Sequence, residues 1–100
     1  MENGYKILWT DNALEELEAT YKYLETNFTH TELTHLSKEI EKTTFLISMN
    51  PKLFPESEFK KGIRKVVMVK YNTMYYRLKN DAIEILSFFS NRQNPSKIKL

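Results

Sequence analysis

Apolar residues alternate or recur at helical spacing along most of the chain, and these two patterns divide it into strands and helices. Residues 62–93 are rich in β-branched and aromatic side chains, interrupted by polar pairs at Tyr71-Asn72 and Asn80-Asp81. This composition predicts three consecutive antiparallel strands. A shorter strand is predicted at Tyr5–Trp9, with its odd-numbered residues on one face.

Two amphipathic helices are predicted between the first strand and residue 51. Thr10 is the expected N-cap of the first helix, with Asp11 in its first turn, where a negative charge suits the helix dipole. Apolar residues then recur at steps of three and four, at Leu14, Leu17, Tyr21, Leu24 and Phe28. Charged residues are expected on the other side, at Glu15, Glu16, Glu18, Lys22 and Glu25.

The second helix is predicted to begin at a capping box, Thr29–Glu32, and to end before Asn50-Pro51. Its apolar positions are Leu33, Leu36, Ile40, Thr43 or Thr44, and Ile47, with Phe45, Leu46 and Met49 widening the face near the end. Hardly any linker separates the helices, so they are expected to form an antiparallel hairpin. His30 and His35 have no spacing that suggests a base or a metal ligand, and we expect both at the surface.

One long connection, Pro51–Gly62, joins the helices to the last three strands. We expect Leu53, Phe54 and Phe59 to anchor it to the core. Lys60 and Lys61 are then left exposed. Loops of this length in a small domain often lie near functional sites.

A turn at Asn80-Asp81 predicts the register of the last hairpin. The expected pairs run outward from Lys79 with Ala82 through Leu78 with Ile83, Arg77 with Glu84 and Tyr76 with Ile85 to Tyr75 with Leu86. Alternation then directs Met74, Tyr76, Leu78, Ile83, Ile85 and Phe89 toward the helices. The opposite face carries Tyr75, Arg77, Glu84, Leu86 and Phe88, which would form an apolar docking patch with a charged rim. Alternatively, the tail at Pro95–Leu100 folds over this face, with Ile98 and Leu100 as plugs.

Composition narrows the class of protein. A chain of 100 residues that is 41% hydrophobic suits a single α+β domain, in which a strand, a helical hairpin and a three-stranded antiparallel meander pack together. The chain has no cysteine and two histidines, so we expect neither disulfides nor a metal or other cofactor. It has no apolar run long enough for a signal peptide or a spanning helix, and we therefore expect a soluble cytoplasmic protein without a membrane partner.

The net charge of +2 conceals a strong asymmetry. Residues 1–59 hold five lysines against eleven acids, a net charge of −6, whereas residues 60–100 hold ten Lys or Arg against two acids, a net charge of +8. A cationic sheet half beside acidic helices would suit a partner with negative charge, either nucleic acid or an acidic protein surface. The alternative for any single lysine is a solvated side chain that discourages aggregation at a strand edge.

Several short motifs, taken in order, resemble one bacterial family. They are Trp9-Thr10 followed by Ala13 and Leu17, the proline-containing loop, Gly62-x-Arg64, Tyr76-Arg77 and Asn91-Arg92-Gln93-Asn94-Pro95. Their order is similar to that of the RelE/ParE superfamily, the toxin halves of type II toxin-antitoxin pairs, which serve in plasmid stabilization. The resemblance covers nearly the whole chain and implies a sheet packed on a helical hairpin. It also implies a cognate antitoxin that wraps the toxin.

The resemblance implies two unlike activities. RelE-like members cleave messenger RNA in the ribosomal A site, whereas ParE-like members poison DNA gyrase without nuclease chemistry. RNA cleavage needs side chains that accept and donate protons, together with cations for the phosphorane charge. Arg64 and Arg92 match basic positions of RelE-like nucleases, but guanidinium groups do not exchange protons near pH 7. The other expected positions fall on Val66, Asn72, Ser90 and Ile98.

The sequence therefore predicts a ParE-like toxin that inhibits growth through protein-protein contact with DNA gyrase, with no assigned catalytic residue. The candidates for target binding are Lys60, Lys61, Arg64, Arg77, Asn91, Arg92 and Gln93. The candidates for antitoxin binding are Tyr75, Leu86 and Phe88.

Two alternatives stay open. One is a ribosome-dependent endoribonuclease with a substituted site, which would use Arg64, Arg92 and either Tyr75 or Tyr76 on ribosome-bound messenger RNA. The other is a non-toxic relative that binds the antitoxin or represses its operon. Two of the candidate cations also have structural alternatives, because Arg77 could pair with Glu84 and the stem of Arg64 could pack on a helix or loop. A homodimer and a toxin-antitoxin hetero-oligomer are both compatible with the sequence.

Overall fold

Two helices, four strands and a 3₁₀ turn form the part of the fold that a computed structural model describes, residues 4–68 and 72–100. In chain order these elements are β1 (Lys6–Trp9), α1 (Asp11–Asn27), α2 (His30–Met49), β2 (Arg64–Met68), β3 (Asn72–Lys79), β4 (Ala82–Ser90) and the 3₁₀ turn (Pro95–Lys97). The predicted α+β class and the order of elements are confirmed.

The four strands form one mixed sheet in the order β1-β4-β3-β2. The antiparallel meander of β2, β3 and β4 is confirmed, and β1 adds to it in parallel beside β4, with Ile7 opposite Ile83. The sequence predicted β1 but not its neighbour. Of the polar pair Tyr71-Asn72, Tyr71 lies outside the described residues, and Asn72 already pairs with Met68 as the first residue of β3.

The hairpin between β3 and β4 follows the predicted register only as far as Tyr76. Asn80 has a φ of 57°, a left-handed conformation that Asn adopts more readily than most residues, and forms the expected turn with Asp81. The predicted pair of Tyr75 with Leu86 is wrong. Tyr75 lies opposite Ser87, because a bulge leaves Leu86 as an extra residue in β4.

This bulge reverses the faces of the last part of β4. One extra residue moves every following side chain to the other side of the sheet. Phe88, predicted to point outward, is therefore fully buried on the helix side, and Phe89, predicted to point inward, lies on the outer face. Leu78 was also predicted to face the core, but it is 43% exposed beside the turn. The other inward predictions are confirmed at Met74, Tyr76, Ile83 and Ile85.

Both helices begin at the N-cap residues that the sequence predicts, but only the first of these residues makes the expected side-chain hydrogen bond. Thr10 caps α1 as predicted, since its hydroxyl accepts a hydrogen bond from the amide of Ala13 at 3.2 Å. Thr29 occupies the N-cap of α2, but its side chain makes no capping hydrogen bond, so the predicted capping box does not form. The end of α2 at Met49, with Asn50 as C-cap, is confirmed.

The buried face of α1 is rotated from the predicted one. Its buried residues are Ala13, Thr20 and Leu24, while Leu14 and Phe28 are 47% and 38% exposed. Because α1 starts directly after β1, its first turn lies against β4, and the small Ala13 permits this close approach. Two other predicted core residues, Leu17 and Tyr21, pack at the margin of the core.

The core face of α2 is confirmed at Leu36, Thr43 and Ile47, which are buried. The expected widening of this face is wrong for Phe45 and Met49, which are 63% and 52% exposed because they lie around the helix from Ile47. His30 and His35 are exposed, as predicted. Among the described residues, neither helix is long and apolar enough to cross a membrane.

The connection from Pro51 to Gly62 is anchored by fewer residues than expected. Phe54 packs on the main core, as predicted. Leu53 is 47% exposed, so its predicted role is wrong, and Phe59 is 52% exposed but contacts the ring of Tyr75 at 6.2 Å between centroids.

The outer face of the sheet is covered by the C-terminal tail. Ile63, Tyr75 and Phe89 form a second apolar cluster there, which we call the outer cluster. Ile98 and Leu100 pack against it, as the alternative interpretation of the tail predicted.

Candidate functional site

Lys60 and Lys61 are presented on an ordered turn that precedes β2. The amide of Ser57 donates to the carbonyl of Ile63 at 2.6 Å, and the amide of Ile63 donates to the carbonyl of Lys60 at 3.3 Å. Gly62 has a φ of +87°, a conformation that favours glycine. Both lysines are exposed, and neither has an ion-pair partner among the described residues. They are therefore available to a partner.

Arg64 and Arg77 are already bound within the fold. The guanidinium of Arg64 donates to the carbonyl of Phe54 at 2.7 Å and lies 3.9 Å from Glu56. The guanidinium of Arg77 donates to Glu84 at 2.8 Å, which is the cross-strand pair that the sequence allowed. Both arginines line a small cavity of about 160 Å³ beside β3. Their contacts hold the loop and the hairpin in place.

Asn91, Arg92 and Gln93 follow β4 at the far end of the sheet. The guanidinium carbon of Arg92 lies 3.5 Å from the ring centroid of Tyr23 in α1, a cation–π contact. The side-chain oxygen of Asn91 accepts a hydrogen bond from Thr73 at 3.0 Å, and the amide of Gln93 donates to Ser90 at 3.1 Å. This turn is thus joined to both α1 and β3.

A cleft of about 490 Å³ opens between α1 and the tail at this end of the molecule. One wall carries three cations, Arg92, Lys97 and Lys99, and the other carries Glu15 and Glu16. Both tail lysines are exposed and have no ion-pair partner among the described residues. The cleft is accordingly bipolar, with its cationic side on the tail.

The candidate target-binding residues form two groups rather than one site. Arg64 lies opposite Tyr76, whereas the turn at Asn91 follows Ser90, which lies opposite Asn72. Four residues along β3 separate these levels, or roughly 13 Å at the usual rise of a strand. Lys60 and Lys61 belong to the group at Arg64, and Gln93 belongs to the group at Arg92.

The candidate acid-base residues Tyr75 and Tyr76 point to opposite faces of β3 and are both buried. The hydroxyl of Tyr76 donates to the carbonyl of Pro51 at 2.8 Å. Burial raises the pKa of both phenols above its ordinary value of 10. Both phenols therefore hold their protons at neutral pH, and they do not share a site.

The candidate antitoxin-binding residues do not form the continuous outward patch that was expected. Phe88 is fully buried in the main core, and Tyr75 is 4% exposed beneath Phe59 and the tail. Leu86 is half-buried at the margin of the outer cluster. Large apolar side chains are exposed elsewhere on the described surface, including Leu14, Phe45, Met49 and Val67.

Glu16 is half-buried and makes contacts with β4 that the sequence pattern missed. It was placed on the outer side of α1, but one carboxylate oxygen accepts hydrogen bonds from the Ser87 hydroxyl at 2.7 Å and the Phe88 amide at 2.9 Å. The side-chain amide of Asn12 donates to the same oxygen at 3.3 Å. The sequence contains only a weak indication that Glu16 faces the sheet, because the residues beside it on this face of α1 are the small Ala13 and Thr20.

Comparison with known protein families identifies the chain. A family model described as "ParE toxin of type II toxin-antitoxin system, parDE" matches residues 7–95. The chain belongs to the ParE toxin family. The superfamily resemblance inferred from the ordered motifs is therefore confirmed.

Solved structures agree with the ParE fold. One from the chromosomal ParDE toxin-antitoxin system of P. aeruginosa has a TM-score of 0.71 at 17% identity, covering 89% of this chain and 98% of that one. A second, the solution structure of the conserved hypothetical protein HP0894 from Helicobacter pylori, has a TM-score of 0.55 at 15% identity, covering 89% and 97%. At these identities both likenesses concern the fold alone. No curated protein matches the chain by sequence.

The surface of this ParE family member also carries one close ion pair beside the exposed lysines. Lys65 donates to Glu58 at 2.8 Å. This hydrogen bond lowers the pKa of the Glu58 carboxyl and raises the pKa of Lys65. Both groups are solvated, so the pair contributes little to stability and serves mainly to neutralise Lys65. No group of three or more His, Cys, Asp or Glu side chains comes together as a metal site within residues 4–68 and 72–100.

Proposed function

We propose that this ParE family member is the toxin of a type II toxin-antitoxin pair that inhibits DNA gyrase by protein-protein contact in the cytoplasm. The observation that carries the proposal is the family match over residues 7–95. A cognate antitoxin would neutralise the toxin, as the naming of the parDE family implies.

The chemistry of the candidate residues favours binding over catalysis. A ribonuclease would need proton transfer, but the two tyrosines are buried on opposite faces and have raised pKa values. Arg64 and Arg92 bear guanidinium groups, which stay charged. Arg92 and the exposed lysines Lys60 and Lys61 suit carboxylates on a protein surface.

The contacts that we propose come from two separate groups, Lys60 with Lys61 at one level of the sheet and the turn at Arg92 at the other. Lys60 and Lys61 have no ion-pair partner in residues 4–68 and 72–100 and lie on an ordered turn, and Arg92 is oriented by Tyr23. Arg64 and Arg77 are assigned a supporting role, because each is committed to a partner inside the fold. Preorganised cations lose less conformational freedom when a partner binds.

Growth inhibition by variants tests this surface. We expect Lys60→Ala/Lys61→Ala and Arg92→Ala each to weaken growth inhibition at least tenfold, measured as the inducer concentration that halves growth. Lys79→Ala is the matched control, since Lys79 is exposed at the hairpin turn and unpaired among the described residues. Full toxicity of the Arg92→Ala protein, at equal abundance, would show that the contact surface is misplaced.

Primer extension on translated messenger RNA separates the gyrase proposal from the ribonuclease alternative. After induction we expect no new cleavage sites within ribosome-bound messages. New cuts at A-site positions would replace the gyrase proposal with ribosome-dependent cleavage, and they should then disappear in the Arg64→Ala and Arg92→Ala variants.

A further inference from the structure

The C-terminal tail contacts the outer cluster through two side chains. Ile98 and Leu100 are half-buried against Ile63, Tyr75 and Phe89, a cluster separate from the core between the helices and the sheet. The residue between them, Lys99, is exposed. The tail therefore presents an apolar, polar, apolar pattern to the sheet.

Nothing else among the described contacts fastens the last six residues to the sheet. The hydrogen bonds of this segment are local, from Lys97 to Asn94, from Ile98 to Pro95, and from Ser96 to the Asn94 side chain. None of the hydrogen bonds between described residues joins 95–100 to a strand. Lys97 and Lys99 make no ion pair with a described residue. Among the described contacts, Ile98 and Leu100 are thus the side chains that hold this segment on the outer face of the sheet.

The face beneath the tail is formed without it. Tyr75 is fixed by backbone pairing with Lys65 on one side and Ser87 on the other, and its ring packs against Phe59. Phe89 is held by backbone pairing with Thr73 of β3. Strand pairing thus positions the Tyr75 and Phe89 side chains independently of the tail.

We propose that the outer cluster is a peptide-binding groove that the tail occupies in cis. Its other occupant would be an extended segment of a different protein that carries two apolar side chains separated by one residue. The tail supplies the template for this ligand, since Ile98 is extended, with φ −66° and ψ 130°, and spaces its side chain from Leu100 by one residue. This inference does not depend on gyrase being the target.

Competition between the two occupants follows from the short connection to β4. A ligand tethered by a few residues is present at an effective concentration in the millimolar range. A segment of another protein with an affinity similar to that of the tail therefore binds the outer cluster weakly while the tail is in place, and binds it well once the tail is released.

The test uses the full chain and a peptide with the sequence of residues 94–100 as the probe. The variant Ile98→Ser/Leu100→Ser removes the two apolar contacts, and Lys97→Ser/Lys99→Ser is the matched control with the same number of substitutions in the tail. Binding is followed by two-dimensional NMR, through the amide and ring signals of Ile63, Tyr75 and Phe89. A peptide with serine at both apolar positions serves as the control ligand.

The expected result is saturable binding of the peptide to Ile98→Ser/Leu100→Ser at an affinity at least tenfold higher than to the unmodified chain or the lysine control. Signals of the outer cluster should shift, and the serine peptide should cause no shift. Equal binding to all three proteins, or no binding to the released groove, would overturn the proposal.

Two other outcomes would also overturn it. Loss of dispersed NMR signals in both Ile98→Ser/Leu100→Ser and the milder Leu100→Ser would show that the tail is an integral part of the core rather than a displaceable ligand. A dimer of the unmodified chain that becomes monomeric in Ile98→Ser/Leu100→Ser, measured by light scattering, would show that exchanged tails of a second copy are the occupant.

Discussion

Glu16 shows how one side chain joins α1 to the sheet. Beyond Trp9, none of the described strands lies on that side of β4, so its backbone groups need other partners. The Glu16 carboxylate accepts from the Phe88 amide just after the bulge, and the Asn12 side chain donates to the Leu86 carbonyl at 3.1 Å. Side chains of α1 thus form hydrogen bonds with backbone groups of β4 that a neighbouring strand would otherwise pair.

Removing that carboxylate should destabilise the fold. Glu16→Ala leaves the Phe88 amide and the Ser87 hydroxyl without this acceptor, and an unsatisfied buried donor costs about 1–3 kcal/mol. Urea denaturation measures the loss. Glu18→Ala, an exposed change on the same helix, should shift stability by less than about 0.5 kcal/mol. Equal stability of the two variants would show that the Glu16 contacts contribute nothing.

The buried phenols give a prediction at alkaline pH. Because the folded-state pKa of Tyr75 and Tyr76 is raised by burial, their contribution to stability is present below about pH 10 and is lost as the pH rises through the folded pKa. Absorbance at 295 nm should show phenols that ionise later than exposed tyrosine. Tyr75→Phe and Tyr76→Phe should each remove one late-ionising group, and ionisation of all tyrosines in a single step near pH 10 in the folded protein would contradict the burial.

Among the elements, the two helix starts carry the same residue type with different contacts. The Thr10 hydroxyl caps α1 and also donates to the carbonyl of Ile85 at 3.0 Å, whereas Thr29 makes no side-chain cap. We expect Thr10→Ala to lower the free energy of unfolding by about 0.5–2 kcal/mol. Thr29→Ala should lower it by less than about 0.5 kcal/mol. Thermal unfolding of the two variants measures these losses. A larger loss of stability in Thr29→Ala than in Thr10→Ala would contradict the assignment of the stronger cap to Thr10.

Periodicity was sufficient to locate the elements but not to fix every face. The helices and strands were predictable because their apolar spacing is regular and Thr10, Asn50 and Asn80-Asp81 mark their ends. The bulge was not predictable, because nothing in the residues around Leu86 distinguishes an extra residue from a paired one. That single insertion accounts for the misplacement of both Phe88 and Phe89.

At the scale of the whole molecule, the cationic half of the chain divides into bound and free charges. Arg64, Lys65 and Arg77 have partners within the fold, while Lys60, Lys61, Lys79, Lys97 and Lys99 have no ion-pair partner among the described residues. Composition revealed the excess charge but not this division, because each ion pair depends on which residues the turn and the strand register bring together. The sequence therefore predicted which residues are candidates for target binding, but not which of them are exposed together and free to bind.

We propose that this ParE family member acts on DNA gyrase by protein-protein contact and without nuclease chemistry. The most direct measurement mixes the purified protein with purified DNA gyrase, ATP and relaxed plasmid, in the absence of ribosomes, and follows supercoiling and gyrase-dependent DNA cleavage. We expect supercoiling to fall or cleaved DNA to accumulate as the protein is added, and we expect Arg92→Ala to weaken the effect while Lys79→Ala does not. Unaltered gyrase activity at a large molar excess of folded protein would contradict it.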